Sequence, residues 1–185
     1  YMQKELKEDI VIVLDFLPNG YPFDARPLYK KTPIAQAIGK NFFMLLELVP
    51  KKGIFLQPVE EVYIGDGKRE KIHHVLGKIS YEKLTETAKG ELDIVVRDIV
   101  EKNEAKFVEF FNTAGPINTR RHQLELLPGV GKKHMWEILE KREEKKFESF
   151  EDIKQRIKLL PDPKNTIIKK IIADLKGEER HKLFQ

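Results

Sequence analysis

Cysteine is absent from the 185 residues, which excludes disulfide bonds and metal sites built on thiolates. No stretch approaches the roughly 20 consecutive apolar residues that a membrane-spanning helix needs. The first nine residues, YMQKELKED, are polar and charged and show no secretory signal. These absences predict a cytoplasmic protein that does not contact a membrane.

The charge is nearly balanced over the whole chain but not along it. Lys and Arg number 34 against 30 Asp and Glu, a net charge of +4. Residues 120–185 hold 17 basic and 12 acidic residues, whereas the first 119 hold 17 and 18, so all the excess positive charge lies in the last third. This asymmetry suits a modest surface for a polyanion such as nucleic acid. The high charged fraction, 35% with Lys and Glu dominant, is typical of thermophiles.

Residues 10–80 are patterned as a β domain. Apolar and β-branched runs predict strands over residues 10–16, 41–49, 54–57, 59–64 and 71–79. The turn Gly65-Asp66-Gly67-Lys68 predicts a hairpin between the last two. Residues 25–40 predict an irregular crossing segment or a short helix around 34–38. Five short strands with Gly and Pro turns are typical of a small OB/S1-like β-barrel.

Helical spacing replaces the strand pattern after residue 80. Apolar residues recur at helical intervals over residues 81–113, with a break expected at Asn103. The sequence therefore predicts an α+β chain with a β-barrel over residues 1–80, connecting helices over 81–116 and an all-α domain over 117–185.

The most informative segment is Leu127-Pro-Gly-Val-Gly-Lys-Lys133, a turn between two helical patterns. Gly129 and Gly131 supply positive φ or close backbone approach, and Val130 can point back into the hairpin. The second helix then begins with free N–H groups, a positive dipole end and two lysines, Lys132 and Lys133. Such an arrangement is an anion site made mostly of backbone. One face of this helix carries Met135, Ile138, Leu139 and Arg142.

Two arginines precede this turn. Arg120 and Arg121 are predicted to begin the first helix of the hairpin, where cations oppose the helix dipole. Their presence there hints at a partner with negative charge, such as a neighbouring phosphate. A solvated helix start is the alternative.

The turn and its flanks resemble the helix-hairpin-helix motif of nucleic-acid-binding proteins: apolar-Pro-Gly-apolar-Gly, then basic residues, then an apolar helix. The resemblance implies a cradle for one or two backbone phosphates at Gly129 to Lys133. It also implies that the carbonyls of Glu125, Leu127 and Val130 can hold a monovalent cation that bridges to phosphate.

A second, degenerate unit follows. Ser149 is predicted to cap its first helix, with Asp152 in the role of the usual Glu or Gln. Its turn, Leu159 to Asn165, contains no glycine. Two residues of Pro161-Asp162-Pro163 have no N–H, and Asp162 adds a negative charge where a phosphate would lie. This hairpin is predicted to keep the fold without a phosphate contact of its own.

Over nearly its whole length the chain resembles a family of archaeal proteins of unknown function, described as RNA- or nucleotide-binding, in which an S1/OB-like domain joins helix-hairpin-helix units. The resemblance implies an architecture and a binding class rather than an activity. It favours RNA, whereas hairpin motifs in general more often bind DNA.

Several other side chains are candidates for chemistry. Trp136 is predicted to be partly buried in the hairpin, with base stacking as the alternative. His73 and His74 are expected to face opposite sides of a strand, and the five histidines show no zinc-like spacing. A surface for base stacking is predicted from aromatic and basic residues of the β domain, Tyr21, Phe23, Tyr29, Phe42, Phe43 and Tyr63 with Arg26, Lys30 and Lys31.

No catalytic triad, pair of catalytic acids or complete phosphate-binding loop stands out. The sequence therefore predicts a non-enzymatic nucleic-acid-binding protein, with RNA favoured over DNA. One alternative is an accessory module of a DNA-repair or nuclease assembly. Another is a protein-interaction adaptor, in which the second hairpin and the acidic helices contact a protein partner.

Overall fold

The computed structural model describes residues 7–185. Contacts within the chain divide it into two compact units, one running up to Val95 and including Phe184–Gln185, the other comprising Val96–Leu183. The domain limits expected from the sequence, at residues 80 and 116, stay a prediction.

The first unit is built on a curled five-stranded antiparallel sheet, a half-barrel. Its strands are β1 (Ile10–Leu17), β2 (Ile34–Gly39), β3 (Leu45–Pro50), β4 (Glu61–Tyr63) and β5 (Ile72–Lys78). They are hydrogen-bonded in the order β4-β1-β2-β3-β5, and all four pairings are antiparallel. Short 3-10 turns lie at Leu28–Lys30 and Tyr81–Lys83.

The sheet is held by a continuous apolar core. Val11, Val13 and Leu48 are fully buried in it, and Leu56 enters it from a loop. Ile12 and Leu14 are buried as well, so both faces of β1 are covered. This explains why β1 is a continuous apolar run rather than an alternating one.

The predicted strands β1, β4 and β5 are confirmed, with ends that shift by one or two residues. Strand β3 is also present but begins four residues later than predicted. Neither alternative predicted for residues 25–40, an irregular crossing segment or a short helix around 34–38, holds over Ile34–Gly39, which is strand β2. Ala35, Gln36 and Ala37 favour helix locally, but pairing with β1 on one side and β3 on the other overrides that preference. The strand predicted over residues 54–57 is also wrong, since that segment is a loop.

The hairpin predicted between the fourth and fifth strands is wrong too. β4 pairs with β1 and β5 pairs with β3, so the two strands lie at opposite ends of the strand order. The glycine turn itself is real: the N–H of Gly67 donates to the hydroxyl of Tyr63 at 3.0 Å. A β-carbon on Gly65 would lie 2.3 Å from the same hydroxyl, so the turn wraps around the ring without forming a ladder.

Helix α1 (Glu86–Lys102) begins against the sheet. The Thr85 hydroxyl donates to the carboxylate of Asp15 at 2.6 Å and accepts the N–H of Ala88 at 3.1 Å. The Thr85 N–H donates to the side-chain oxygen of Gln36, a fully buried residue, at 2.9 Å. One threonine thus caps α1 and fixes its first turn to β1 and β2.

The second unit is helical: α2 (Glu104–Thr113), α3 (Lys132–Glu144), α4 (Phe150–Arg156) and α5 (Pro163–Leu175), with a 3-10 turn at Gln123–Leu126. The break predicted at Asn103 is confirmed, because α1 ends at Lys102 and α2 begins at Glu104. The expected pair of hairpins thus has three α-helices and one short turn. Among residues 7–185, no helix is both long enough and apolar enough to cross a membrane.

A buried ion pair fixes the segment after α5. Lys170 and Asp174 are each 1% exposed, and the ammonium lies 2.7 Å from the carboxylate. Lys170 also donates to the carbonyl of His181 at 2.6 Å, and the Leu183 N–H donates to Asp174 at 3.1 Å. These contacts pair two charges that would be costly to bury alone.

Candidate functional site

The first hairpin turn has one glycine that the fold requires. Gly129 has φ +80°, and a β-carbon placed on it would lie 2.8 Å from Cγ of Pro161 in the second turn. The two turns are therefore in van der Waals contact, and the contact depends on a residue without a side chain. Val130 is 6% exposed and its N–H donates to the Leu127 carbonyl at 3.1 Å, so its role as an inward plug is confirmed.

Gly131 differs from the expectation. Its φ of −98° and ψ of −169° are extended backbone that any residue adopts. Of the two glycines in this turn, only Gly129 has a positive φ. No atom lies within 4 Å of a β-carbon placed on Gly131. The described chain therefore gives no internal reason for glycine here. Its absent side chain leaves open backbone at the start of α3.

The N-terminus of α3 is bare and basic. Gly131 is its N-cap and provides no side-chain hydrogen bond, and the first turn contains no acidic residue. Lys132 and Lys133 occupy that turn instead. Within residues 7–185, each of the other four α-helices begins with an acidic residue in its first turn or with a carboxylate cap. The start of α3 is thus the helix end with the most uncompensated positive potential.

Lys132 is held by the preceding segment. Its ammonium lies 2.9 Å from the Glu125 carboxylate and donates to the Arg120 carbonyl at 2.9 Å. Glu125 also accepts the backbone N–H of His122 at 2.7 Å. The hydrogen bond from Lys132, and then that from His122, lower the pKa of Glu125, so its carboxylate is ionised at neutral pH. Lys133 is exposed and, in the part of the chain that the structure describes, has no ion pair.

Arg120 and Arg121 do not begin a helix, contrary to the prediction. Their N–H groups donate to the Asn118 side chain at 2.8 and 2.9 Å, which holds the segment in a turn. His122 is extended, so the 3-10 helix starts only at Gln123. Both arginines are exposed on this turn. The turn lies next to Lys132, because the Arg120 carbonyl accepts a hydrogen bond from the Lys132 ammonium.

His122 is the buried residue at the entry to the hairpin. Its Nδ1 accepts the N–H of Leu124 at 3.1 Å, and its own N–H is bound by Glu125, a reciprocal cap. Burial lowers the pKa of His122, and the nearby Arg142 guanidinium lowers it further. The ring is therefore neutral at neutral pH, as an accepting nitrogen requires.

The apolar face predicted for α3 is confirmed, but Trp136 is not part of it. Met135 and Ile138 are buried, and Leu139 and Arg142 are half-buried. Arg142 donates to the carbonyls of Phe111 and Ala114 at the end of α2. Trp136 is 64% exposed, so its expected partial burial in the hairpin core is wrong. The reason is helical geometry: the residue after Met135 lies about 100° away around the helix.

In the second turn, the side chain of Asp162 caps the helix that follows. The carboxylate of Asp162 accepts the N–H groups of Lys164 and Asn165 at 3.0 and 3.4 Å, which caps α5. Leu159 takes a positive φ of +69° that a glycine would adopt without strain. At the start of α4, the predicted Ser149 cap is confirmed by its bond to the Asp152 N–H. Asp152 itself accepts from Glu148, one residue earlier than in a capping box.

The two most exposed aromatic rings of the first unit, Phe23 and Tyr29, lie in the loop between β1 and β2. Phe23 stacks on Tyr21, with ring centres 4.9 Å apart and planes 9° apart, and Phe23 and Tyr29 are 82% and 83% exposed. The Tyr21 hydroxyl donates to Glu47 and accepts from Gln36. Burial, and then the hydrogen bond to Glu47, raise the pKa of Tyr21 to about 12.

The other predicted stacking residues have different surroundings. Phe43 is fully buried with φ +54°, whereas Phe42 is half-buried. The Tyr63 hydroxyl is used by the glycine turn described above, and Arg26 is paired with Asp24 at 2.7 Å. Lys30 and Lys31 lie beside Tyr29, with the Lys30 ammonium 5.9 Å from the Tyr29 ring centre.

His73 and His74 do not face opposite sides of β5. Their Nδ1 atoms are 2.8 Å apart and both side chains are exposed. The register of β5 against β3 shifts between Ile72 and His74, and this bulge brings consecutive side chains to one side. Among residues 7–185, no group of three or more His, Cys, Asp or Glu side chains could hold a metal ion.

The chain is similar to proteins from archaea. It is 47% identical to the uncharacterized protein MJ0038 of Methanocaldococcus jannaschii over 177 residues, which cover 96% of this chain and 78% of that protein. The crystal structure of Af1531 from Archaeoglobus fulgidus matches with a TM-score of 0.85 at 46% identity, covering 96% of this chain and 99% of that one. The family model for a protein of unknown function, DUF655, matches residues 7–185. The chain therefore belongs to the DUF655 family.

Proposed function

We propose that the protein is a non-enzymatic nucleic-acid-binding protein that holds backbone phosphates at the start of α3. The observation that carries this proposal is the bare N-terminus of α3, which has two lysines, no cap and no acidic residue in its first turn. In this proposal the second unit is a tandem helix-hairpin-helix domain. Its first turn binds phosphate, and its second turn is capped by Asp162 and does not.

The energetics of the helix end favour a bound anion. A glycine N-cap leaves about a few tenths of a kcal/mol of helix stability unrealised relative to a capping side chain. Each cation in the first turn opposes the helix dipole by roughly 0.3–1 kcal/mol. A phosphate at this position would accept the free N–H groups and offset both terms. Without a ligand, the sequence of α3 is poorly matched to its own N-terminus.

Each predicted site residue has a definite role in this arrangement. Gly131 has no side chain to obstruct a phosphate that approaches the first N–H groups of α3. Lys133 is free to pair with that phosphate. Lys132 would have to give up part of its ion pair with Glu125 in order to contact the phosphate. Arg120 and Arg121 would contact a neighbouring phosphate from the turn beside Lys132. A monovalent cation on the carbonyls of Glu125, Leu127 and Val130 stays a prediction within this proposal.

The first unit supports the same function. A partly open five-stranded sheet is compatible with an OB/S1-like barrel, a fold that binds single strands. The stacked rings of Tyr21 and Phe23, the exposed Tyr29, and Lys30 and Lys31 offer flat apolar surface next to positive charge. RNA is preferred over DNA because of the family resemblance.

The test is fluorescence anisotropy of the full chain with a labelled single-stranded RNA of about 12 nucleotides, measured over a series of salt concentrations. The double variant Lys132→Ala/Lys133→Ala should bind more weakly. Its plot of log affinity against log salt should be flatter by about 0.7 for each phosphate that the protein no longer neutralises.

The matched control is Lys158→Ala/Lys169→Ala, which removes two exposed lysines from the second hairpin. Lys170 is unsuitable because it is buried in the pair with Asp174. Equal reductions in affinity for the two double variants would mean that the chain binds as a diffuse basic surface. Stronger binding to duplex DNA than to RNA would favour an accessory DNA-repair module, and no binding to either nucleic acid would favour the protein adaptor.

A further inference from the structure

The tryptophan next to the candidate phosphate site is unusually placed. Trp136 is the only tryptophan of the chain and is 64% exposed on α3. In residues 7–185 its indole makes no hydrogen bond and no ring contact. An exposed indole has a large apolar face together with one unused N–H donor.

Its position on the helix relates it to the lysines. Trp136 lies four residues after Lys132 and three after Lys133, so the three side chains share one side of α3. Long helical side chains lean towards the N-terminus of their helix. The backbone of Trp136 lies about one helical turn, roughly 5.4 Å along the axis, from Lys132 and Lys133, so the indole is expected over the first turn of α3.

We infer that Trp136 stacks on an unpaired base of the nucleic acid whose phosphate lies at the start of α3, and that this contact makes the first hairpin selective for single strands. The inference rests on the proposed function. Lys132 and Lys133 supply positive charge on the N-terminal side of the indole, and the Arg120 carbonyl holds the turn of Arg120 and Arg121 to Lys132. A flat ring next to cations matches a nucleotide, which combines a planar base with an anionic phosphate.

The neighbouring acids limit where the strand can run. Glu137 directly follows Trp136 and Glu140 lies four residues after it, so negative charge borders the indole on its C-terminal side. The strand is thus expected to leave the indole towards Arg120 and Arg121. A duplex keeps its bases stacked on one another, so its bases cannot stack on the indole without being unpaired.

Because the chain has a single tryptophan, its fluorescence reports on this position alone. We would titrate the full chain with the mixed-sequence single-stranded RNA of about 12 nucleotides and with the same sequence as a duplex, and follow indole emission and anisotropy together. The single strand should quench the emission with the same midpoint as the anisotropy change. The duplex should leave the emission unchanged.

Substitution separates stacking from charge. Trp136→Ala should weaken single-strand binding roughly tenfold and leave the salt slope unchanged, because stacking releases no phosphate counterions. Trp136→Phe should recover part of the affinity. Ile94→Ala is the matched control, since it also truncates an apolar helix side chain that is 61% exposed, and it should bind normally. Unchanged melting temperatures would show that each variant folds.

The outcomes are separable from those of the proposed function. If anisotropy shows binding that depends on Lys132 and Lys133, yet emission is unchanged and Trp136→Ala binds normally, stacking is refuted and the phosphate site stands. If Trp136→Ala weakens duplex binding as much as single-strand binding, the selectivity is refuted. If no nucleic acid binds at all, the proposed function is refuted and stacking with it.

Discussion

The two turns of the second unit are in contact with each other, but only one of them caps the helix that follows it. The second turn closes the N-terminus of α5 with the carboxylate of Asp162, which accepts two backbone N–H groups. The first turn leaves the N-terminus of α3 without a cap and follows it with Lys132 and Lys133. The same chain thus caps one helix end with its own carboxylate and leaves the other without a side-chain cap.

The two turns divide the roles of a repeated unit between them. A carboxylate cap supplies internally what a phosphate would supply from outside, so Asp162 makes α5 independent of any partner. The glycines of the first turn are divided in a similar way. Gly129 is required by the packing against Pro161, whereas Gly131 leaves backbone open. We therefore expect substitutions at these two positions to separate stability from the proposed phosphate binding.

The largest expected effect is on the contact between the turns. Gly129→Val should destabilise the protein by roughly 3 kcal/mol, because a β-branched residue opposes φ +80° and its Cβ would lie 2.8 Å from Pro161. Gly131→Ala, with extended backbone and open space, should cost under about 1 kcal/mol. Urea denaturation followed by circular dichroism measures both. Similar costs would show that the turns do not depend on Gly129.

A smaller effect should follow from pH at the entry to the first hairpin. The lowered pKa of His122 means that the unfolded chain binds a proton first as the pH falls below about 6.5, its ordinary value. The stability that neutral His122 contributes is therefore complete above that pH and declines below it, with a slope of at most about 1.4 kcal/mol per pH unit. His122→Asn, which keeps a capping acceptor, should remove this part of the slope. Identical pH profiles of the two proteins would contradict this assignment.

Local patterns predicted what depends on neighbours in sequence. The apolar face of α3, the Ser149 cap and the break at Asn103 all follow from residue spacing and capping chemistry, and the structure confirms them. Strand β2 could not be predicted in the same way. Its Ala and Gln residues favour helix, and only pairing with strands on both sides makes them extended.

The sequence predicted which residues form the candidate site, but not their backbone conformations or side-chain contacts. The sequence identified Gly129 to Lys133, yet it could not show that only Gly129 has positive φ, because both glycines are compatible with either conformation. The pairing of Lys132 with Glu125 depends on how the preceding loop folds back. Trp136 was misplaced because the neighbouring Met135, rather than the indole, fills the apolar face.

Giving the first turn the cap of the second tests whether the N-terminus of α3 is the phosphate site. In Gly131→Asp, the new carboxylate should cap α3 as Asp162 caps α5, so the free energy of unfolding should stay the same or rise by up to about 1 kcal/mol. The affinity for single-stranded RNA, measured by anisotropy at low salt, should fall at least about tenfold because the carboxylate occupies the phosphate position and repels it. A variant that is as stable as the parent and binds RNA equally well would contradict the assignment of the α3 N-terminus as the phosphate site.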